Sequence, residues 1–258
     1  MTQRSRLSIV ILTKNNDDTI EDTLKSAQWA DEILIIDSGS TDNTLQIAKH
    51  YNAQIHTQTD WQGFGYQRQW GQKKASGDVI FMLDSDEAFT PELAQSIQTI
   101  LENGLEPNTV YQCARRNKFI DKYMTSCGWY PDTVRRLYIK TERQYKDQTV
   151  HESLDTNNAK IKTLQGDLLH QTCLDYGQFQ QKQMQYAQAW ATERNHNDKK
   201  SGLFSAFTHA FTAFIKNYIF RKGVFDGKHG LLLSLTIAQY TFNKYAMLWA
   251  LNQKNKSQ

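Results

Sequence analysis

No run of about eighteen consecutive apolar residues occurs in this chain, so nothing in it is expected to cross a bilayer as a helix. Met1 to Arg6 leads only into the short apolar stretch Leu7 to Leu12, too brief for the core of a secretion signal. Cysteine is scarce as well. The three present, Cys113, Cys127 and Cys173, are odd in number, widely spaced and form no C-x-x-C pair. That argues against a disulfide framework or a zinc site, and fits a reducing compartment. Glycine-rich phosphate loops are also missing. No G-x-G-x-x-G follows the first apolar run and no G-x-x-x-x-G-K-[ST] occurs, so dinucleotide and P-loop readings are poor.

What is present is unevenly distributed. The 258 residues suffice for one large domain, or one domain with an appendage, and carry a formal charge of +3. From Lys199 onward there are nine Lys or Arg, one acid and eleven Phe, Tyr or Trp. The remainder holds 21 basic and 26 acidic groups, so an acidic head precedes a basic, aromatic tail. Such a head argues against nucleic-acid binding, and the division implies two tasks.

Apolar runs at Leu7 to Leu12, Ile33 to Ile36, Ala53 to Thr57 and Val79 to Leu83 read as strands. Helices are expected between them, one carrying Ile20, Leu24 and Ala27 and one over Leu45 to His50. Asp17 or Asp18, and Ser40 or Thr41, are the candidate caps. A third helical stretch contains Arg68, after the irregular aromatic segment Trp61 to Tyr66. This alternation implies right-handed βαβ units and a mostly parallel sheet flanked by helices, an α/β fold. Thr13, Asp37 and Asp84 then end strands along one edge, where such sheets bind ligands. Beyond the helix at Pro91 to Asn103, the runs Val110 to Arg116 and Val134 to Lys140 extend the sheet. Leu168 to His170 reads as a short strand end, and Gln178 to Arg194 as a polar helix.

The fourth run leads straight into Asp84-Ser85-Asp86-Glu87. While the chain stays extended, residues two apart point the same way, so Asp84 and Asp86 can present both carboxylates together. Hard oxygen ligands of this kind suit Mg²⁺ or Mn²⁺. An isolated Asp-x-Asp is more often a solvated turn capping the next helix. Here other motifs accompany it.

With D-S-G-S-T-D at Asp37 to Asp42, Arg68-Gln69 and the Asp-x-Asp in this order, the chain resembles inverting family 2 glycosyltransferases of the GT-A (Rossmann-like) fold. The C-G-W-Y-P-D, R-R-L, V-H-E and G-V-F-D-G-K-H-G segments further resemble bacterial lipopolysaccharide core β-1,4-glucosyltransferases. One position departs: where the family usually carries a second acid after the second strand, this chain has Ser38. The resemblance implies a nucleotide-sugar donor, UDP-glucose, and a lipid A–core (lipooligosaccharide) acceptor whose inner-core heptose receives the hexose. It implies that Thr13, Asn15, Asp37, Ser38, Arg68 and Asp84 bind the donor. It also implies residues 1–195 as the donor-binding and catalytic domain and residues 196–258 as a C-terminal helical extension. The expected place of work is peripheral, at the cytoplasmic face of the inner membrane.

The chemistry assigns further roles. Asp86 and Asp84, with His170 after two leucines, are the candidate ligands of a divalent ion that offsets charge on the departing diphosphate. Arg68 can add fixed positive charge beside it. The acceptor hydroxyl needs a carboxylate base, Glu152 or Asp132. Glu152 is preferred because His151-Glu152 places two titratable groups after a strand, whereas Asp132 could pair with Arg135 or Arg136. Arg115-Arg116 and Arg135-Arg136, with His151, are candidate contacts for an anionic acceptor; otherwise these arginines are solvated strand edges.

In the tail, Phe204, Phe207, Phe211, Phe214 and Tyr218 recur at helical spacing, and Leu231 to Leu251 follows as a second helix. This stripe either packs on the sheet or meets an anionic membrane surface. Two other functions are possible for such a chain. A metal-dependent nucleotidyltransferase would need a glycine-rich basic loop after the first strand, which Thr13-Lys14-Asn15-Asn16 is not. A non-catalytic membrane adaptor would use the tail alone.

Overall fold

A computed structural model describes residues 4–146 and 153–254. The chain forms two compact units. The first takes the chain as far as Arg115 and again from Thr133 to Gln171; the second takes Arg116–Asp132 and the chain from Thr172. The expected boundary near residues 195–202 falls within the second.

In chain order the elements are β1 (Leu7–Thr13), α1 (Ile20–Ala27), β2 (Glu32–Asp37), α2 (Thr44–His50), β3 (Gln54–Thr57), α3 (Phe64–Lys74), β4 (Val79–Asp84), β5 (Glu87–Phe89) and α4 (Pro91–Asn103). They continue with β6 (Thr109–Phe119), β7 (Lys122–Tyr123), β8 (Asp132–Ile139), β9 (Lys160–Cys173), α5 (Tyr176–His196), α6 (Leu203–Ile215) and α7 (Gly227–Lys254). Among the described residues no helix is long and apolar enough to cross a membrane.

The sheet runs β3-β2-β1-β4-β8-β6-β9-β5. Its first four strands are parallel, as the alternation of strands and helices requires, and β8 returns antiparallel to β4. The two faces of β1 sort by the strand period of two. Leu7, Ile9 and Ile11 join Ile20 and Leu24 of α1 and Leu93 and Ile97 of α4, whereas Val10 and Leu12 pack with Ile36, Met82, Tyr138 and Trp70. Covering both faces explains why β1 reads as an unbroken apolar run.

Helix α3 approaches this sheet closely at Gly71. A Cβ there would lie 2.7 Å from Val10 Cγ1 and 2.8 Å from Ile36 Cγ1, so glycine lets the helix seat. The start of α3 takes in Phe64 and Tyr66, which read as irregular from sequence.

Two expected caps are replaced. Thr19, not Asp17 or Asp18, precedes α1, and its hydroxyl donates to the carbonyl of Ser85. Asn43, not Ser40 or Thr41, precedes α2, and the Ser40 hydroxyl donates to Asp37 instead. Nor do the acids after β4 cap α4: Thr90 does, accepting from the Leu93 N–H.

The second unit has its own core of Phe119, Met124, Cys127, Cys173 and Leu233. Asp226 ties it together, accepting from the Thr125 N–H and hydroxyl at 3.0 Å each and from the Ser126 hydroxyl at 2.5 Å. The Lys122 ammonium completes this set at 2.9 Å. Burial disfavours the Asp226 anion, yet the Ser126 hydroxyl and Lys122 hold its carboxyl below the usual range. Gly223 and Gly230 abut so closely that a Cβ on Gly230 would meet the Gly223 carbonyl oxygen at 1.8 Å. The G-V-F-D-G-K-H-G segment is thus a packing motif of this unit.

Candidate active site

The site is assembled where β1, β2 and β4 end side by side, with Thr13 opposite Asp37 and Leu12 opposite Asp84. The first two strand ends are laced to each other. Asp37 is buried; its carboxylate accepts from the Gly39 N–H (3.0 Å), the Ser40 N–H (3.0 Å) and the Ser40 hydroxyl (2.6 Å). Gly39 permits this turn at φ 94°. Asn15, itself at φ 54°, accepts from the Thr41 N–H at 2.8 Å. The Asn16 side-chain oxygen gathers the hydroxyls of Thr13 (3.0 Å) and Ser85 (2.8 Å). The Ser38 N–H reaches the Thr13 carbonyl at 3.0 Å. Thr13, Asn15, Asp37 and Ser38 therefore form one hydrogen-bonded double loop.

At the end of β4 the chain turns at Ser85-Asp86 instead of staying extended, so the two aspartates part company. Asp84 goes to two arginines. Arg68 Nη2 donates to its Oδ1 at 2.7 Å and Arg136 Nη2 to its Oδ2 at 2.6 Å. Burial opposes ionisation, but Arg136 and Arg68 together hold the Asp84 carboxyl far below the usual carboxylate range. Both guanidiniums are buried, which opposes their charge, yet their protons are held more tightly than usual because Asp84 acts together with Tyr145 on Arg68 and with Glu87 on Arg136.

Glu87, which sequence reasoning left without a role, extends the chain of charges. It is fully buried and accepts from Arg136 Nη2 at 2.9 Å, Arg115 Nη1 at 3.2 Å and the Asp84 N–H at 3.0 Å. Tyr145 lies under Arg68, its ring centroid 5.0 Å from the guanidinium carbon. These residues wall a cavity of about 380 Å³ lined by Arg68, Asp84, Arg115, Arg135, Arg136 and Tyr145, among others. Five residues singled out from sequence thus share one cavity, and four of them are arginines. Arg135 donates to the Thr156 hydroxyl at 3.2 Å, leaving Arg136 as the buried member of its pair.

Asp86 faces a different partner. Its Oδ2 lies 3.3 Å from His170 Nε2, because β5 pairs with β9 and sets His170 opposite Glu87. A carboxylate and an imidazole at this separation can share one divalent cation. Among the described residues no three His, Cys, Asp or Glu cluster around a common point, so such an ion would complete its shell with water or phosphate oxygens.

Of the candidate bases and remaining acceptor contacts, Asp132 and Arg116 belong to the second unit. Asp132 accepts from Asn117 Nδ2 at 3.2 Å, and Arg116 lies 5.6 Å from the Tyr130 ring centroid. Glu152 and His151 lie outside the described residues. Their sequence neighbours Ser153 and Leu154 line the cavity, and the Lys146 N–H donates to the Ser153 carbonyl at 2.9 Å.

Residues 8–160 match the profile described as glycosyl transferase family 2. The chain is similar to an uncharacterised glycosyltransferase of Rickettsia prowazekii, 25% identical over 98% of this chain and 89% of that protein. It is equally similar to the lipopolysaccharide core biosynthesis glycosyltransferase LpsC of Rhizobium meliloti, 25% identical over 96% and 94% of the two chains. Among solved structures, the mannosyltransferase PcManGT from Pyrobaculum calidifontis, crystallised with GDP-Man and Mn²⁺, superposes with a TM-score of 0.53. It is 14% identical, over 96% of this chain and 88% of that one. S. aureus TarS superposes with a TM-score of 0.50 at 17% identity, over 70% and 39% of the chains. These likenesses establish a GT-A-like fold: a mixed, mostly parallel sheet with flanking helices.

Proposed function

Because the chain belongs to glycosyl transferase family 2, we propose that it transfers a hexose from a nucleotide-sugar to the inner-core heptose of a lipid A–core acceptor, by a single inverting displacement. The observation that carries this reading is the cavity walled by four arginines around the ionised Asp84 at the carboxyl edge of a parallel sheet. Its charge suits a ligand rich in phosphate. The acceptor class follows that of the lipopolysaccharide core biosynthesis glycosyltransferase LpsC, and the resemblance to core glucosyltransferases implies UDP-glucose as the donor. Work at the cytoplasmic face of the inner membrane accords with a lipid-borne acceptor.

In this reading the double loop of Thr13, Asn15, Asp37 and Ser38 cradles the nucleoside. Arg68, fixed by Asp84 and Tyr145, faces the diphosphate as negative charge builds on it. Asp86 and His170 would hold Mg²⁺ or Mn²⁺, as the donor-bound fold-mate PcManGT holds Mn²⁺ somewhere in its structure. When bound, such an ion supplies Lewis-acid stabilisation of the leaving diphosphate. Arg115 and Arg135, with His151, meet the anionic acceptor. Glu152 takes the proton of the attacking hydroxyl, with Asp132 as the second candidate.

Calorimetric titration of UDP and UDP-glucose with Mn²⁺, paired with transfer to a lipid A–core acceptor, tests these assignments. Asp86→Ala is expected to abolish metal-dependent UDP binding while leaving the melting temperature unchanged. Glu152→Gln is expected to keep donor affinity and lose transfer about a hundredfold or more. Undiminished turnover in Asp86→Ala would remove the metal assignment. If Asp132→Asn shows the loss instead, the base moves there.

A further inference from the structure

Helix α6 sorts its side chains in the reverse of the order water imposes. It packs along α7 with Ala206 fully buried, while Phe204 is 82% exposed. Phe207 and Phe211 are exposed on the same stripe, although the Phe207 ring also touches that of Phe242. The π-helical turn Lys216–Phe220 and the 3-10 turn Gly223–Asp226 follow directly, with Phe220 77% and Phe225 79% exposed. Ile219 and Val224 add to this apolar surface. Single exposed hydrophobes are ordinary, but a run of phenylalanines turned outward while Ala206 is turned inward marks a face built for an apolar medium.

The charges in the same stretch are of one sign. Between Lys199 and Lys254 there are eight Lys or Arg and one acid, Asp226. That acid is buried under Ser126, Thr125 and Lys122. Lys216, Lys222 and Lys228 are exposed among the aromatic residues, whereas Arg221 leans over Gly128 and donates to Asn217 Oδ1 at 3.3 Å. A second copy of this face would bring these lysines against their own counterparts with no carboxylate between them. Lipid phosphates answer all of them at once.

We propose that this face, from Phe204 through Phe225, lies on an anionic lipid leaflet, with its rings at the acyl boundary and Lys216, Lys222 and Lys228 at the phosphates. The inference takes its setting from the proposed membrane placement and adds the surface that performs it. Its test uses neither donor nor acceptor, so its failure is distinguishable from failure of the glycosyl-transfer reading.

The test is co-sedimentation of the full chain with phosphatidylethanolamine vesicles, with and without phosphatidylglycerol, at low and high salt. The wild type is expected to sediment with phosphatidylglycerol vesicles at low salt and to release at high salt. Phe204→Ser with Phe211→Ser should weaken partitioning about tenfold or more. Lys216→Ser with Lys228→Ser should weaken it about tenfold at low salt only. Both pairs should keep the wild-type circular dichroism and melting temperature, since all four side chains are exposed. A wild type that stays in the supernatant with every vesicle overturns the proposal. So does a phenylalanine pair that sediments like wild type, or a wild-type dimer in ultracentrifugation that this pair converts to monomer.

Discussion

Two carboxylates share Arg136, and they differ in the water they keep. The Glu87 side chain is fully buried, whereas that of Asp84 is 29% exposed to the cavity. Losing Asp84 leaves two buried guanidiniums short of a partner, but water in the cavity screens them. Asp84→Asn should therefore cost about 1–2 kcal/mol, less than a fully buried pair. The pH dependence has a definite sign. A carboxyl depressed in the folded state contributes its stability above its unfolded value, about 3.9, and loses it only as pH falls toward the folded value. The Asp84 carboxyl lies far below the usual range, so the difference in melting temperature between wild type and Asp84→Asn should stay flat from about pH 5 to 8. A gap that widens across that window would mean that Asp84 is not held ionised. The strand-end acids were legible in the sequence because an apolar run broke abruptly into charge. Their partners were not, since Arg68 and Arg136 reach Asp84 from 16 and 52 residues away.

Among the elements, α3 carries the site on a single seating point. Gly71 sits one turn beyond Arg68 and lets the helix rest on Val10 and Ile36. Gly71→Ala forces a shift against packed side chains, at about 1–3 kcal/mol. Because Arg68 rides on the same helix, this variant should also bind UDP more weakly, although residue 71 does not line the cavity. A calorimetric titration that shows lower stability with unchanged UDP affinity would uncouple the two. The parallel strands and most helices could be read from periodicity. The three-residue β5 could not, because a strand that short has no period, so the pairing with β9 that sets His170 beside its fellow candidate ligand Asp86 was hidden. In the tail, periodicity located the phenylalanine stripe of α6 but is blind to whether a stripe faces protein or solvent.

For the molecule as a whole, the C-terminal helices are no detachable appendage. Residues Arg116–Asp132 belong to the same unit as α5, α6 and α7. Their Phe119, Met124 and Cys127 pack with Leu233, and Thr125 and Ser126 donate to Asp226. A fragment ending at residue 195 would keep the first set and lose the second. It should express insolubly, or melt well below the full chain, whatever its residual affinity for UDP. Equal solubility and melting would make the tail an independent module.

The Asp226 tie also has a consequence for the order of events at the ribosome. Ser126 and Asp226 are 100 residues apart, so at roughly 5–20 residues per second the segment around Ser126 waits about 5–20 s for its partner to be made. By the end of that interval the strands and helices β1 to α4 have long been synthesised. The segment from Arg116 to Asp132, with Phe119, Met124 and Cys127, is then an insertion awaiting its core. A nascent chain therefore carries Thr13, Asp37 and Asp84 on their strands while the insertion still lacks its core, the stage at which a chaperone holding it matters most.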